Sequence, residues 1–140
     1  MGTKDQKADV IRLKIPSNPK YIGMVRAMVE DLAKKNGFAK NKIEELKLAI
    51  NEALANVIEH AYQWQKNRVI FIYFSIHYQD IEVIIKDFGK KIDVNGLKSR
   101  NLDEVKDSGL GVFLIKNMVD KVEYHSEDTG TELKLVKNKS

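Results

Sequence analysis

Residues 51–62, NEALANVIEHAY, decide how the middle of the chain is built. At about 100° per residue, Leu46, Ile50, Ala53 and Val57 fall on one apolar stripe of a helix. Glu52 and Asn56 lie roughly 40° apart at the edge of that stripe, one turn above the other. Glu59 follows on nearly the same line, further round towards solvent. A carboxylate and a carboxamide beside a buried face point at whatever packs next to the helix. Two uses fit. The pair is a solvated helix edge, with Asn56 satisfied by a nearby carbonyl. Alternatively, the Asn56 carbonyl oxygen is a ligand for Mg²⁺, a hard ion that accepts neutral oxygen, and Glu52 is a carboxylate close to a metal-bound phosphate. His60, near the stripe, is expected to be packed and hydrogen-bonded. Spacing alone leaves both uses open.

Upstream, ADVIRLKIPS alternates as a half-buried strand ending at Pro16. Ser17 or Asn18 followed by Pro19 marks a helix start. Ile22, Val25, Met28, Val29 and Leu32 then recur at helical spacing until Gly37. The second helix is expected from about Lys40 to Trp64. Downstream, NRVIFIYFSIHY and DIEVIIKDFG, joined through Tyr78-Gln79-Asp80, predict a hairpin over residues 68–87. Residues 88–108 are polar and aperiodic, the composition of a functional or mobile lid. SGLGVFLIKNMVDKV resumes as helix, and VEYHSEDTGTELKLVK closes as a hairpin turned at Asp128-Thr129-Gly130. The order βααββ-loop-αββ predicts one α+β domain over residues 1–140, a mostly antiparallel sheet with helices on one face.

Composition narrows the function. At 43% hydrophobic and 31% charged residues, the chain is globular rather than disordered. The absence of cysteine excludes disulfides and thiolate metal sites and fits a reducing compartment. MGTKDQKADV lacks the apolar core of a signal peptide, and no apolar run approaches the ~20 residues of a membrane span. A cytoplasmic protein without membrane contact is expected. The net charge of +4 is partly terminal (Lys4, Lys7, Lys137, Lys139) and forms no basic block interleaved with aromatics. It is expected to be solvated surface rather than a nucleic-acid contact.

Three further stretches carry chemistry. VIIKDFGKKID ends a strand at Asp87, followed by Gly89. A carboxylate there can accept from an exocyclic amine, and the glycine admits a flat ring to the backbone; a plain capped turn has the same sequence. DSGLGVFLIKNMVD sets Gly109 and Gly111 before an apolar helix, where free amides favour phosphate. It is neither a P-loop nor a dinucleotide fingerprint. DTGTELKLV opens the last strand with Gly130-Thr131. Each is ordinary alone; their order is specific.

Together the four boxes resemble those of the Bergerat-fold (GHKL) ATPases, which include gyrase, histidine kinases and MutL. Glu52 and Asn56 match the N-box, Asp87 and Gly89 the first glycine box, Gly109 and Gly111 the second, and Gly130-Thr131 the closing motif. IPSNPKYIGMVRAMVEDLAKKNGF, LAINEALANVIEHAY and SGLGVFLIKNMVDKVEY further resemble the anti-sigma factor serine/threonine kinases. The resemblance implies a two-layer ATP-binding sandwich on a mixed, mostly antiparallel sheet. It implies that Asp87 binds the adenine amino group with support from Thr131, and that Asn56 holds Mg²⁺. Gly89 would belong to the nucleotide site, as would the backbone of Gly109, Leu110 and Gly111 at the phosphates, and Glu52 would be the catalytic base. The implied substrate is a serine or threonine of an anti-anti-sigma protein of the STAS-domain class. The implied partner is a sigma factor, bound by a homodimer with no direct nucleic-acid contact. One departure is Lys91, where the superfamily commonly has a second glycine, with Asp93 two residues on. Lys90, Lys91 and Arg100 are alternative phosphate contacts. The competing reading is an ATP- or ADP-responsive binding switch that transfers no phosphate.

Overall fold

The computed structural model describes residues 8–89 and 109–140. Strand β1 (Asp9–Pro16) leads through a short 3₁₀ turn (Pro19–Tyr21) into helix α1 (Ile22–Lys35), and helix α2 (Lys40–Asn56) follows. A π-helical turn (Val57–Ala61) continues α2; then come β2 (Val69–Ile76), β3 (Asp80–Asp87), helix α3 (Gly109–Met118), β4 (Lys121–Glu127) and β5 (Gly130–Asn138). The strands form one sheet in the order β1-β2-β3-β5-β4, and all four ladders are antiparallel. A mixed sheet was expected; among the described residues no parallel pair occurs.

Strand alternation sets the two layers. Ile15, Ile70, Ile72, Phe74, Ile81, Val83, Ile85, Leu133 and Leu135 point to one face and are buried against Val25, Val29, Leu46, Ile50, Ala53, Val57 and Ile115 of the helices. The stripe read in the sequence is therefore the central ridge of the core. Asn18, rather than Ser17, caps the first turn, its side chain accepting from the Lys20 amide at 3.1 Å. Ser17 is fully buried instead. Its hydroxyl donates to the Gln65 carbonyl and accepts from the Arg68 amide, which ties the end of β1 to the start of β2.

Two expectations are corrected. The second helix does not run regularly to Trp64. The bond from the Tyr62 amide to the Val57 carbonyl, 2.9 Å, closes a wide turn, and Gln63 and Trp64 then adopt φ of 49° and 66°. Two left-handed residues without glycine cost energy; here they reverse the chain into β2. Lys137 is not a solvated end charge. It is buried, and its ammonium donates to Glu45 Oε1 at 3.0 Å and to the Met118 carbonyl at 2.6 Å. A cation at the last carbonyls of α3 also suits the helix dipole.

Candidate functional site

The candidate site is assembled where the end of β3 meets the end of the helix that carries Glu52 and Asn56. Asp87 is the last residue of β3 and points to the helical face, where it is 1% exposed. Thr131, its partner across the β3–β5 ladder, is buried beside it, with its hydroxyl 3.4 Å from that of Ser126. Asp87 Oδ1 accepts from the Gly89 amide at 3.0 Å. Burial pushes the Asp87 carboxyl above its ordinary range, while the amides of Gly89 and Thr131 and the Arg68 charge oppose the shift. A buried carboxylate held between two amides is a fixed acceptor.

Tyr62, at the end of the π turn, locks the strand to the helix. Its hydroxyl accepts from the Phe88 amide at 2.8 Å and donates to the Val69 carbonyl. Burial pushes its phenol up. Arg68 completes the clamp: its guanidinium lies 4.6 Å from the centre of the Tyr62 ring and donates to the Phe88 carbonyl at 3.0 Å. The backbone of Phe88 is thus held at both its N–H and its carbonyl, in the peptides that join it to Asp87 and to Gly89.

Two glycines are required by this packing. A Cβ on Gly89 would lie 2.3 Å from the Ala61 carbonyl oxygen and 2.6 Å from the Tyr62 ring. A Cβ on Gly130 would lie 2.0 Å from the Asp87 carbonyl oxygen, at a φ of +149°. Both were read as nucleotide-box glycines. The structure gives each a second reason: they let the backbone of β3 come within reach of the π turn and of β5.

Glu52 and Asn56 are half-buried on α2, one turn apart as expected, and the π turn begins immediately after Asn56. Wide turns of this kind recur at functional sites. Among the described residues no side-chain hydrogen bond occupies either group, so the carbonyl partner considered for Asn56 is absent. Gly109, Leu110 and Gly111 form the first turn of α3 rather than preceding it, and first-turn amides lack intrahelical acceptors. Lys90, Lys91, Asp93 and Arg100 lie outside the described residues, as does the expected lid from residue 90 to residue 108. His60 departs from expectation: its Nε2 is buried with no hydrogen-bond partner among the described residues, 3.9 Å from Glu59 Oε2.

Tyr62 and Arg68 were missed by sequence reasoning. Tyr62 sits within a helical pattern as one more apolar position. The signal available was that a buried tyrosine hydroxyl needs a polar partner. Nothing local distinguishes Arg68.

A family model for the histidine kinase-like ATPase domain matches residues 15–137. The chain belongs to the histidine kinase-like ATPase family. Within this family it groups with the serine-protein kinases. The serine-protein kinase RsbW of Bacillus subtilis (strain 168) is 32% identical, over 82% of this chain and 77% of the relative. RsbW of Staphylococcus aureus (strain Newman) is 31% identical, over 94% and 87%. Solved structures share the fold. A chain of the SiaB–SiaC complex from Pseudomonas aeruginosa superposes with a TM-score of 0.69 at 11% identity, covering 96% of this chain and 92% of that one. The RsbU and RsbW domains of Rv1364c from Mycobacterium tuberculosis give 0.69 at 15% identity, covering 92% and 32%. Asp87, Gly89, Thr131, the α2 pair and the clamp of Tyr62 and Arg68 all lie within the residues that the family model matches.

Proposed function

We propose that this chain is a cytoplasmic, ATP-dependent protein serine kinase that phosphorylates an anti-anti-sigma protein and, as a homodimer, sequesters a sigma factor. The observation that carries the proposal is the joint between β3 and the π turn. It fixes Asp87 on the same rigid unit as Glu52 and Asn56. Phosphoryl transfer depends mainly on positioning and charge neutralisation, so rigidity between the base-binding and phosphate-proximal groups is what the reaction needs. The named relatives are serine-protein kinases, which supports the choice of reaction.

In this mechanism Asp87 accepts from the adenine amino group, and the first-turn amides of α3 receive phosphate oxygens. Asn56 suits a hard divalent cation, because its carboxamide oxygen is half-buried and not taken up by another donor among the described residues. No group of three or more His, Cys, Asp or Glu side chains among those residues forms a metal cage. Mg²⁺ commonly relies instead on one or two protein oxygens, phosphates and water. When bound, the ion supplies charge neutralisation between the phosphates. Glu52 takes the proton from the attacking serine hydroxyl, and its place one turn from Asn56 keeps it beside the reacting phosphate.

Titration calorimetry tests the nucleotide half of this proposal. Asn56→Ala should weaken ATP and ADP binding in the presence of Mg²⁺ and change little in its absence. Equal losses with and without Mg²⁺ would assign Asn56 to packing rather than to the metal.

A further inference from the structure

Arg68 is a cation held in place by neutral groups. Its guanidinium lies 4.6 Å from the centre of the Tyr62 ring and donates to the Phe88 carbonyl at 3.0 Å and to Gln65 Oε1 at 3.2 Å. Among the described residues no carboxylate pairs with it. The loop before it is shaped to bring it there. Residues 63–67 are exposed, and Gln63 and Trp64 take left-handed backbone without glycine. The chain then turns inwards at Arg68, whose amide donates to the buried Ser17 hydroxyl at 3.0 Å. Backbone strain of this kind persists where the surroundings over-determine it, often at a functional site.

Asp87 is the group that needs this charge. Burial favours the neutral acid unless hydrogen bonds and a nearby positive charge restore the anion. Burial pushes the Asp87 carboxyl up; the Gly89 and Thr131 amides and then the Arg68 charge act against it. Among the described residues Arg68 is the cation that does so. The other groups around Asp87 do not replace it. Tyr62, from the π turn, has its phenol pushed up by burial and stays neutral. Lys86 and Glu132, the next residues of β3 and β5, alternate to the opposite face of the sheet. β4 contributes the Ser126 hydroxyl, beside Thr131. The titratable groups of α2 and the π turn on the helical side are Glu52, Glu59 and His60, and the first turn of α3 carries no charged side chain.

We propose that Arg68 is a positioning residue for adenine nucleotide: it lends the buried Asp87 carboxylate a countercharge while leaving the carboxylate oxygens free for the ligand. The proposal rests on the adenine role of Asp87 in the reading above. An arginine bonded directly to Asp87 would take up the lone pairs that an exocyclic amine must reach. Arg68 is anchored instead to the Tyr62 ring and to the carbonyl of the next residue, Phe88, so its charge acts through space. The same anchor gives the chain adenine-nucleotide binding that persists at lower pH than a buried, uncompensated carboxylate would allow.

ADP affinity of the full chain, measured by calorimetry from about pH 5.5 to about pH 8, tests this. Arg68→Gln keeps a donor for the Phe88 carbonyl and removes the charge. It should bind ADP about 3- to 10-fold more weakly than wild type at the acidic end and within about 2-fold at the alkaline end. Arg68→Lys keeps the charge and should recover most of the acidic loss. In an Asp87→Asn background, Arg68→Gln should add no pH-dependent loss. Carbon NMR of the Asp87 carboxyl gives a readout without nucleotide: its titration should move to higher pH in Arg68→Gln. An equal loss of affinity at every pH, without rescue by lysine, would make Arg68 a purely structural residue and overturn the proposal. An Asp87 titration unmoved in Arg68→Gln would overturn it as well. Wild-type ADP affinity in Asp87→Asn alone would instead overturn the adenine role of Asp87 on which the proposal rests.

Discussion

The Tyr62 hydroxyl accepts the Phe88 amide hydrogen at 2.8 Å, across 26 residues of sequence. This contact joins the helix with Glu52 and Asn56 to the strand with Asp87. Removing the hydroxyl leaves the Phe88 amide and the Val69 carbonyl unsatisfied. Tyr62→Phe should therefore lose about 1–3 kcal/mol in urea unfolding and bind adenine nucleotide more weakly. Unchanged nucleotide affinity in a destabilised variant would show that the contact serves the fold without positioning Asp87.

Glycine substitutions separate close packing from simple flexibility. Gly130→Ala places a Cβ 2.0 Å from the Asp87 carbonyl oxygen, and Gly89→Ala places one 2.3 Å from that of Ala61. Each should destabilise by about 3 kcal/mol or more, since backbone rather than a side chain must move. Gly23, inside α1, is the control: its nearest neighbour is the flexible Arg26 guanidinium at 3.6 Å. Gly23→Ala should be neutral or stabilising by up to about 1 kcal/mol. Thermal melts of the three variants check the ranking.

Asp87 should trade stability for binding. Burial raises its carboxyl above the ordinary value of 3.8, so the folded state holds the proton more tightly than the unfolded chain does. Its favourable contribution is then present below the unfolded value and is lost as pH rises through the folded one. Asp87→Asn should melt at or above the wild type at pH 7, and the advantage should shrink as pH is lowered towards 4. The same variant should bind ATP about 10- to 100-fold more weakly, the loss of a hydrogen bond to a charged acceptor. Wild-type ATP binding should decline on acidification at a higher pH than an ordinary aspartate would give. A variant that melts below the wild type at pH 7 would contradict the cost assigned to this buried charge.

The fold was legible where periodicity is strong. The alternation of VIFIYFSI and DIEVIIKD gave both strands of the central hairpin, and the spacing of Leu46, Ile50, Ala53 and Val57 gave the core ridge. The end of the second helix was not legible. No proline or glycine marks the π turn, which is held by contacts from Tyr62 to Val69 and Phe88 that lie far along the chain. The boxes around Asp87 and Thr131 were legible as an ordered set of motifs, and the ladder pairs these two residues. Tyr62, Arg68 and buried Lys137 were not found. Each owes its role to tertiary partners such as Phe88, Glu45 or the Met118 carbonyl, which sequence spacing does not encode.

Phosphoryl transfer by Glu52→Gln tests the central claim most directly. The substitution keeps the size of the side chain on α2 but removes its basicity. Labelled phosphate from ATP is followed onto the cognate anti-anti-sigma protein, alongside Mg-ATP affinity and sigma-factor binding. Affinity and sigma binding should stay near wild type while transfer falls by about 10²–10⁴-fold. Wild-type transfer by Glu52→Gln would remove Glu52 from the base role, and no transfer by the wild type itself, with nucleotide still governing partner binding, would contradict the kinase assignment.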